Sequence, residues 1–483
     1  MAVSDSEYRA WLATEDKDPV VLVEVGYYDP VAAAAKTAYW SDAGYIDPFD
    51  VDAPNYLPLI LSEIVIKESL QSSVPDDIEI FVEDQAMHDW RIVGYDVKIF
   101  YGDRSWPRAD FVQEAATKTD NVSSKSASML QLSFSDLGDY YFDQLVNGNG
   151  LGLAAGLPFV FGRVFNVEPL RFASDKFVFY TPATISDVET ARDNGVPVTI
   201  TNSHFIADGT GDGLRIEITL AVAPAGRVTF DIRYGTRQYG FDTSDMEFLL
   251  GQMNSYIQIP IPLGSTVASV PAYDIGYIFY QYGTVKEMLT QMCDSMGLNP
   301  RINKTGALDL IRIDDAGTPT RVARDANLLG NNDAGIRLEL IATEPPYKQL
   351  ELGYRKNWTV QGTDTLAGSV SAANQILYSR EYTYVKNTRT LTGYPLVKNQ
   401  KFDTLLALEA DASAEATRRW ELRDVERRIY KISDGDGTFL ADDIGDTITL
   451  VSSDYGFDAG TNAVVIANSK NLTRQRCQVE VWV

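Results

Sequence analysis

Residues able to do chemistry are sparse in this chain. Among 483 residues there are two histidines, His88 and His204, and two cysteines, Cys293 and Cys477. A zinc site needs three or four such ligands converging, and neither histidine sits in HExxH, CxxC or His-x-His spacing. Nucleophilic hydrolysis needs a serine or cysteine beside a base. The sequence has no GxSxG elbow, no P-loop and no dinucleotide fingerprint after a strand. It therefore offers no catalytic, cofactor-binding or metal-binding residue, and the expectation is a protein that is not an enzyme and carries no cofactor.

Carboxylates are the remaining candidates. Two Asp-Gly loops concentrate them: ADGTGDG, with Asp208 and Asp212, and DGDGTF, with Asp434 and Asp436, followed by Asp442 and Asp443. Calcium takes six to eight oxygens, and an EF-hand loop requires Gly at its sixth position and Glu at its twelfth. Counted from Asp434, those positions hold Phe439 and Gly445. Asp-Gly pairs make tight turns, so both loops read as turns, with structural calcium as the weaker alternative. A carboxylate pair for glycoside hydrolysis needs two groups held across a cleft, and no spacing in the sequence singles one out. The 26 tyrosines suit sugar grooves and protein interfaces alike.

The elements that must position these residues are mostly strands. The net charge is −25 and the sequence pI about 4.5. Such a surface repels nucleic acid and anionic lipid at long range, so no stable nucleic-acid binding is expected. The one dense basic run, Arg418 to Arg428, is interrupted by Glu421, Asp424 and Glu426 and reads as a solvated helix face. No apolar run approaches the roughly 20 residues that span a bilayer, which argues against membrane insertion. The opening MAVSDSEYRAWLATED lacks the basic and apolar regions of a signal peptide. Two cysteines far apart in sequence suit a reducing cytoplasm.

Strand patterns start at PVVLVEVGYYD (Pro19), LPLILSEIVIKESL (Leu57), DIEIFVED (Asp77) and DVKIFYGD (Asp96). They resume at FVFY (Phe177), VPVTI (Val196), LRIEITLAV (Leu214) and VTFDIRYG (Val228), then at ALDLIRID, KQLELGYRKNW and SREYTYVKN, and close with DTITLVSS, NAVVIANS and RCQVEVWV. Three helices interrupt them. Ser4 and Glu7 form a capping box, as do Thr284 and Glu287. The second box opens an amphipathic helix over 284–296, with Val285, Met288, Leu289, Met292, Cys293 and Met296 on one face and Gly297 as its stop. That Met-rich stripe reads as an ordinary packed face. A long helix is expected near 402–422. The fold class is mainly β with a few helices (α+β), multidomain, built of barrel or sandwich domains. The expected segments are 1–150, 151–270, 271–345 and 346–483, the first boundary falling in the turn-rich VNGNGLGLAAGLPFVFG.

Several motifs, in order, resemble a known family. NYLPLILSEIVIKESL, DIEIFVEDQAMHDW and YDVKIFYGDRSWPRADFV look like the N-terminal part of tail-tip proteins of long-tailed (siphovirus-type) bacteriophages and related prophages. The last holds Gly102, Asp103, Trp106, Pro107, Arg108, Ala109, Asp110 and Phe111. GLPFVFGRVFNVEPL and VETARDNGVPVTI resemble the region that follows. The end, with GDTITL, YGF and VEVWV, is similar to the C-terminal β domain of phage baseplate hubs. The resemblance implies tube-like β domains forming a ring, as a homo-oligomer, expected to be a trimer. It implies a structural hub of the virion's tail tip or baseplate, assembled in the host cytoplasm, with the distal tail protein, the tape-measure protein and other tip and fibre proteins as partners. An acidic lumen would let DNA pass during genome ejection without sticking. The alternatives are a distal-tail adaptor ring, a receptor-binding adhesin and, last, a peptidoglycan hydrolase.

Overall fold

A computed structural model describes residues 3–146, 158–181, 186–207, 214–234, 246–280, 283–325, 328, 338–435 and 437–483. The chain is mainly β with a few helices. It divides into two compact units that do not follow the chain in order. The first comprises Met1–Tyr140, Pro300–Glu344 and Glu426–Val483; the second comprises Tyr141–Asn299 and Pro345–Val425. Of the expected segment boundaries, the one near 150 lies outside the described residues, and the one near 345 lies where the chain passes from the first unit to the second.

The first unit holds two large sheets and a small two-stranded one, Leu298–Ile302 with Leu308–Arg312. Six antiparallel strands run in the order Ala34–Ser41, Pro19–Asp29, Asp96–Asp103, Val112–Ser126, Met129–Ser135 and Ile78–Phe81. The alternation in DVKIFYGD turns Val97, Ile99 and Tyr101 inward. The two outer strands are not left as free edges. Residues 57–61 run between them: Leu57 accepts from the Ser41 N–H (2.8 Å) and donates to the Tyr39 carbonyl (3.0 Å), while Leu59 accepts from Phe81 N–H (2.7 Å) and Leu61 donates to Glu79 (2.8 Å). The LPLIL segment thus bridges the two outer strands, curling the sheet into a barrel and covering part of each edge. It was expected as part of a strand. Instead it is a closing staple, and the strand begins later, at Val65–Ser69.

The second sheet of this unit runs Arg321–Arg324, Thr447–Ser452, Phe457–Asn471, Arg476–Trp482, Arg427–Ser433 and Leu338–Glu344. Val65–Ser69 pairs onto the far half of Phe457–Asn471. One core serves both sheets: Val21, Ile99 and Leu132 of the barrel belong to the same apolar cluster as Tyr430, Ile448, Val465 and Val479. The helix Asp5–Leu12 opens with the expected capping box and buries Tyr8 and Leu12.

In the second unit a large sheet has the order Val196–Val198, Ser186–Asp193, Val228–Tyr234, Phe159–Val167, Lys176–Thr181, Leu214–Leu220 and Ile200–Ala207. The helix Val285–Met296 has both halves of its capping box and a left-handed C-cap at Gly297, with φ +67°. Its stripe of Met288, Leu289, Met292, Cys293 and Met296 is buried. A Cβ on Gly297 would also collide with the Arg418 guanidinium, so the position needs glycine twice over. A smaller sheet places Gln349–Tyr354 between Thr383–Thr388 and Gln400–Asp403.

The helix expected near 402–422 starts later, at Glu409–Leu422. Phe402 and Asp403 belong to a strand paired in parallel with Leu352 and Gly353. Leu405, Leu406 and Ala407 are buried as extended backbone, with the Leu406 carbonyl accepting from Arg355 N–H and Ala407 N–H donating to Asp274. A continuous apolar run suits a buried extended segment as well as a helix. The basic run is corrected too. Only its first part is helical, and its arginines are engaged: Arg418 and Arg419 grip the buried Glu415, while Arg427 lies over Trp482, 4.5 Å from the ring centre.

Barrel closure gives a direct stability contrast. Ile60 is buried in the closing segment, whereas Val51 is 96% exposed. Ile60→Ala is expected to cost about 2–5 kcal/mol, and Val51→Ala to stay within about 0.5 kcal/mol, both measured by urea denaturation.

Candidate functional site

Two arrangements in the first unit stand out: a buried ionic cluster and an anchored apolar loop. The cluster centres on Lys470, in the strand Phe457–Asn471. Its ammonium lies 3.4 Å from Glu68, 3.3 Å from Glu114 and 3.2 Å from Asp443. Glu68 comes from Val65–Ser69 and Glu114 from the barrel strand Val112–Ser126, so one lysine ties the barrel to the second sheet. Arg301 adds a second cation to Glu68 at 2.9 Å, and Lys304 reaches Asp443 at 2.9 Å. The Tyr8 hydroxyl donates to Glu114 at 2.8 Å. The named cations and carboxylates balance, as burial requires.

Protonation follows from the geometry. Burial alone would push the Glu68 carboxyl up, but Lys470 and Arg301 outweigh it and hold it below the usual range. Asp443 is likewise held low by Lys470 and Lys304 against its burial. It keeps 41% of its side chain exposed, so solvent screens it more than Glu68. Burial works against the Lys470 charge, yet Glu114, Glu68 and Asp443 raise its pKa well above the ordinary value. Nearby Asp442 goes the other way: desolvation raises it despite Arg321 and Arg9.

These contacts show what the second Asp-Gly loop does. Asp434 is buried and accepts from the Phe439 N–H at 2.8 Å. Asp442 holds Arg9 at 2.6 Å, and Asp443 is taken by the two lysines. Asp436, Asp208 and Asp212 lie outside the described residues. Among the described residues no three His, Cys, Asp or Glu converge as a metal would need. His88 Nε2 donates to the Ala127 carbonyl at 3.0 Å, and His204 lies 3.7 Å from Glu217. Both cysteines are buried and free, one in each unit, and burial pushes their thiols up. No helix among the described residues is long and apolar enough to cross a membrane.

The second arrangement is built by the GDRSWPRADF motif. Gly102 leaves room for Phe111, whose ring would lie 2.8 Å from an added Cβ. Asp103 accepts from the Trp11 indole (2.9 Å), the Asp18 N–H (3.0 Å) and the Ser105 hydroxyl (2.7 Å). The Arg108 guanidinium lies 3.5 Å from the centre of the Phe100 ring, pairs with Glu24 at 2.7 Å and donates to the Tyr56 hydroxyl at 2.7 Å. Tyr56 in turn donates to Glu24 at 2.6 Å. The Arg108 N–H reaches Asp47 at 2.7 Å, and Tyr45 donates to the Trp106 carbonyl at 2.7 Å.

This knot fixes the base of the loop between Tyr45 and Tyr56, which also exchange backbone hydrogen bonds at 3.0 and 2.9 Å. Inside the loop Asp47 accepts from the Phe49 and Asp50 N–H groups, an Asx turn that holds the tip. At that tip Ile46, Phe49 and Val51 are 68%, 74% and 96% exposed. A rigidly anchored loop with three exposed apolar side chains is suited to docking, because little ordering entropy is left to lose on binding. Composition did not reveal this loop; the spacing of IDPFDV, acid alternating with apolar residues after Tyr45, was the available signal.

No family model matches the sequence, and no curated protein matches it. Among solved structures, the chain is similar to a tail protein from Neisseria meningitidis at 10% identity, covering 96% of this chain and 97% of that one, with a TM-score of 0.41. It is similar to a prophage tail protein from Listeria monocytogenes at 7% identity, covering 96% and 94%, with a TM-score of 0.41. A prophage MuSo2 tail protein from Shewanella oneidensis gives 9% identity, 96% and 98% coverage and a TM-score of 0.39. Likenesses at these values assign no function to the chain.

The cluster predicts an acid dependence with a definite sign. The lowered carboxyls of Glu68 and Asp443 contribute stability above their unfolded values of about 4, and that stability is lost as pH falls through the folded ones. The raised Lys470 contributes below about 10.4 and loses it only as pH rises through its folded value. Asp442, raised, gives an opposing gain on acidification. Stability should be flat from about pH 6 to 9 and fall below about pH 4. Lys470→Met should cost about 3–5 kcal/mol at neutral pH, with the gap to wild type narrowing in acid as the stranded carboxylates take up protons. Urea titrations of both proteins across pH check this.

Proposed function

We propose that this chain is a structural protein of a bacteriophage tail tip. In this reading it is the baseplate hub, joining the distal end of the tail tube to tape-measure and fibre or receptor-binding proteins and enclosing the DNA passage. The single observation that carries the proposal is where the family-like residues lie. Tyr56 and Leu57 of the YLP turn, and Trp106, Arg108 and Phe111 of the WPRADF segment, build the barrel closure and the knot under the exposed loop. The residues that carry the resemblance are thus spent on holding a docking loop on a closed β domain. A barrel whose edges are largely covered is also a sound building block for a ring, because its contacts then run through chosen loops.

Within the same class, a distal-tail adaptor would assemble as six copies, whereas the hub reading expects three. The partners, the trimer and assembly in the host cytoplasm belong to the proposal and stand or fall with it.

The loop supplies the test. An exposed aromatic that becomes buried at an interface is typically a residue whose loss costs about 2 kcal/mol or more of binding. The double variant Phe49→Asp, Val51→Asp should fold with unchanged thermal stability, because both side chains face solvent. Particles assembled with it should lose the protein from their tails, seen by electron microscopy and by protein content of purified particles, with infectivity falling in step. Full incorporation and infectivity in the double variant would remove the loop from the docking surface.

A further inference from the structure

The second unit carries a cleft that the docking role does not use. It lies on the small sheet formed by Gln349–Tyr354, Thr383–Thr388 and Gln400–Asp403. One face of this sheet is covered, since Leu350 and Leu352 are buried. Glu351 and Gly353 alternate with them onto the other face. There the register sets two rows of side chains. Lys386 and Lys401 flank Glu351, and Tyr384 and Asp403 flank Gly353.

The second row makes a platform. The Tyr384 hydroxyl donates to Asp403 across the sheet at 2.7 Å. Gly353 lies beneath: an added Cβ would come within 2.9 Å of the Tyr384 ring, 3.2 Å of the Asp403 carboxylate and 3.3 Å of Tyr382. The missing side chain is what lets these groups settle onto the sheet. Tyr382 stands two residues before Tyr384, on the same side, with ring centres 6.2 Å apart and planes at 49°. The Lys401 ammonium rests over the Tyr384 ring at 4.5 Å. Around the two rings opens a cleft of about 430 Å³, lined by Arg380, Glu381, Tyr382, Tyr384, Lys401 and Asp403. That volume lies in the range of small-ligand sites, about 300–1,000 Å³.

The chemistry selects among ligand classes. Two aromatic faces offer apolar surface for the C–H side of a ring. The rim supplies two cations, Arg380 and Lys401, and two carboxylates, Glu381 and Asp403, so donors and acceptors are both present and their charges cancel. A phosphate or other strongly anionic ligand would call for an excess of cations, and a lipid chain for a continuous apolar wall. A neutral polyhydroxylated ring uses every group at hand: its apolar face meets a tyrosine, and its hydroxyls both donate to the carboxylates and accept from Arg380 and Lys401. Lys401 occupies the position over Tyr384 that such a ring would take. Being a flexible side chain, it can exchange that cation–π contact for a hydroxyl.

We propose that this cleft is a saccharide-binding site, taking one or two residues of a neutral glycan through Tyr382 and Tyr384. The proposal does not depend on the tail-tip reading and stands without it.

The test uses the full-length protein on an array of neutral oligosaccharides built from glucose, galactose, N-acetylglucosamine and rhamnose, with hits titrated by calorimetry. Saturable binding is expected for at least one glycan. Tyr384→Ala should weaken it by about tenfold, the size of one lost aromatic contact. Tyr384→Phe, which keeps the ring and loses the hydroxyl, should weaken it less, and Gly353→Val, which fills the floor, should abolish it. Circular dichroism and thermal melting establish that each variant remains folded, and Tyr384→Phe provides the reading if Gly353→Val does not. The proposal is overturned if no neutral glycan binds saturably. It is equally overturned if Tyr384→Ala leaves binding unchanged, or if inorganic phosphate competes the glycan away.

Discussion

The first unit depends on a lysine placed where lysine is costly. Lys470 is enclosed, and taking an ammonium out of water costs several kcal/mol unless it is paired on all sides. Here three carboxylates surround it, and two further cations, Arg301 and Lys304, satisfy what remains of their charge. Because those carboxylates arrive from three different stretches of chain, the cluster is formed only when the barrel strand Val112–Ser126, the strand Val65–Ser69 and the segment around Asp443 are all in place. An apolar core of similar size could hold the two sheets together in more than one register. An ionic joint with directional partners is less forgiving of a slip. The Tyr8 hydroxyl on Glu114 and Arg9 on Asp442 bring the N-terminal helix onto the same joint.

From that joint the structure leads outward to the exposed loop 46–51 proposed to dock. The barrel gives a rigid base, the 57–61 staple bridges its outer strands, and the Arg108–Tyr56–Glu24 knot fixes the loop whose tip carries Phe49 and Val51. Each step converts a local sequence feature into position. Arg108 is a good example: its guanidinium stacks on Phe100, pairs with Glu24 and reaches Tyr56, a set of contacts that a planar fork makes and a lysine would not. The apolar tip costs little in the isolated chain and gains on burial, at about 25 cal/mol for each Å² of apolar surface removed from water.

What the sequence shows, and what it hides, divides along physical lines. Both capping boxes and the Gly297 stop were legible because each is a local rule in which one residue answers another three or four positions away. The alternation in DVKIFYGD was legible for the same reason. The long helix was misplaced at its start because FDTLLAL has no period that separates a buried extended run from a helix, and only pairing with Leu352 and Gly353 decides it. Lys470 was invisible. In the run NSKNLT it looks like a solvated turn residue, and nothing nearby in sequence announces Glu68, Glu114 or Asp443. The arginines of 418–428 misled because alternating charge does not show that Glu415, buried three and four positions before Arg418 and Arg419, is their partner. The Tyr382–Tyr384 platform was half legible as tyrosine content. Its floor needed the register that sets Gly353 between Tyr384 and Asp403.

The central claim is that the anchored apolar loop is the means by which this chain docks into a larger assembly at a phage tail tip. An electron cryomicroscopy reconstruction of the native particle tests it most directly. The account predicts a ring of three copies at the tip, with residues 46–51 of each copy buried against a neighbouring subunit. A reconstruction in which the chain lies elsewhere in the particle, or in which Phe49 and Val51 face solvent in every copy, would contradict it.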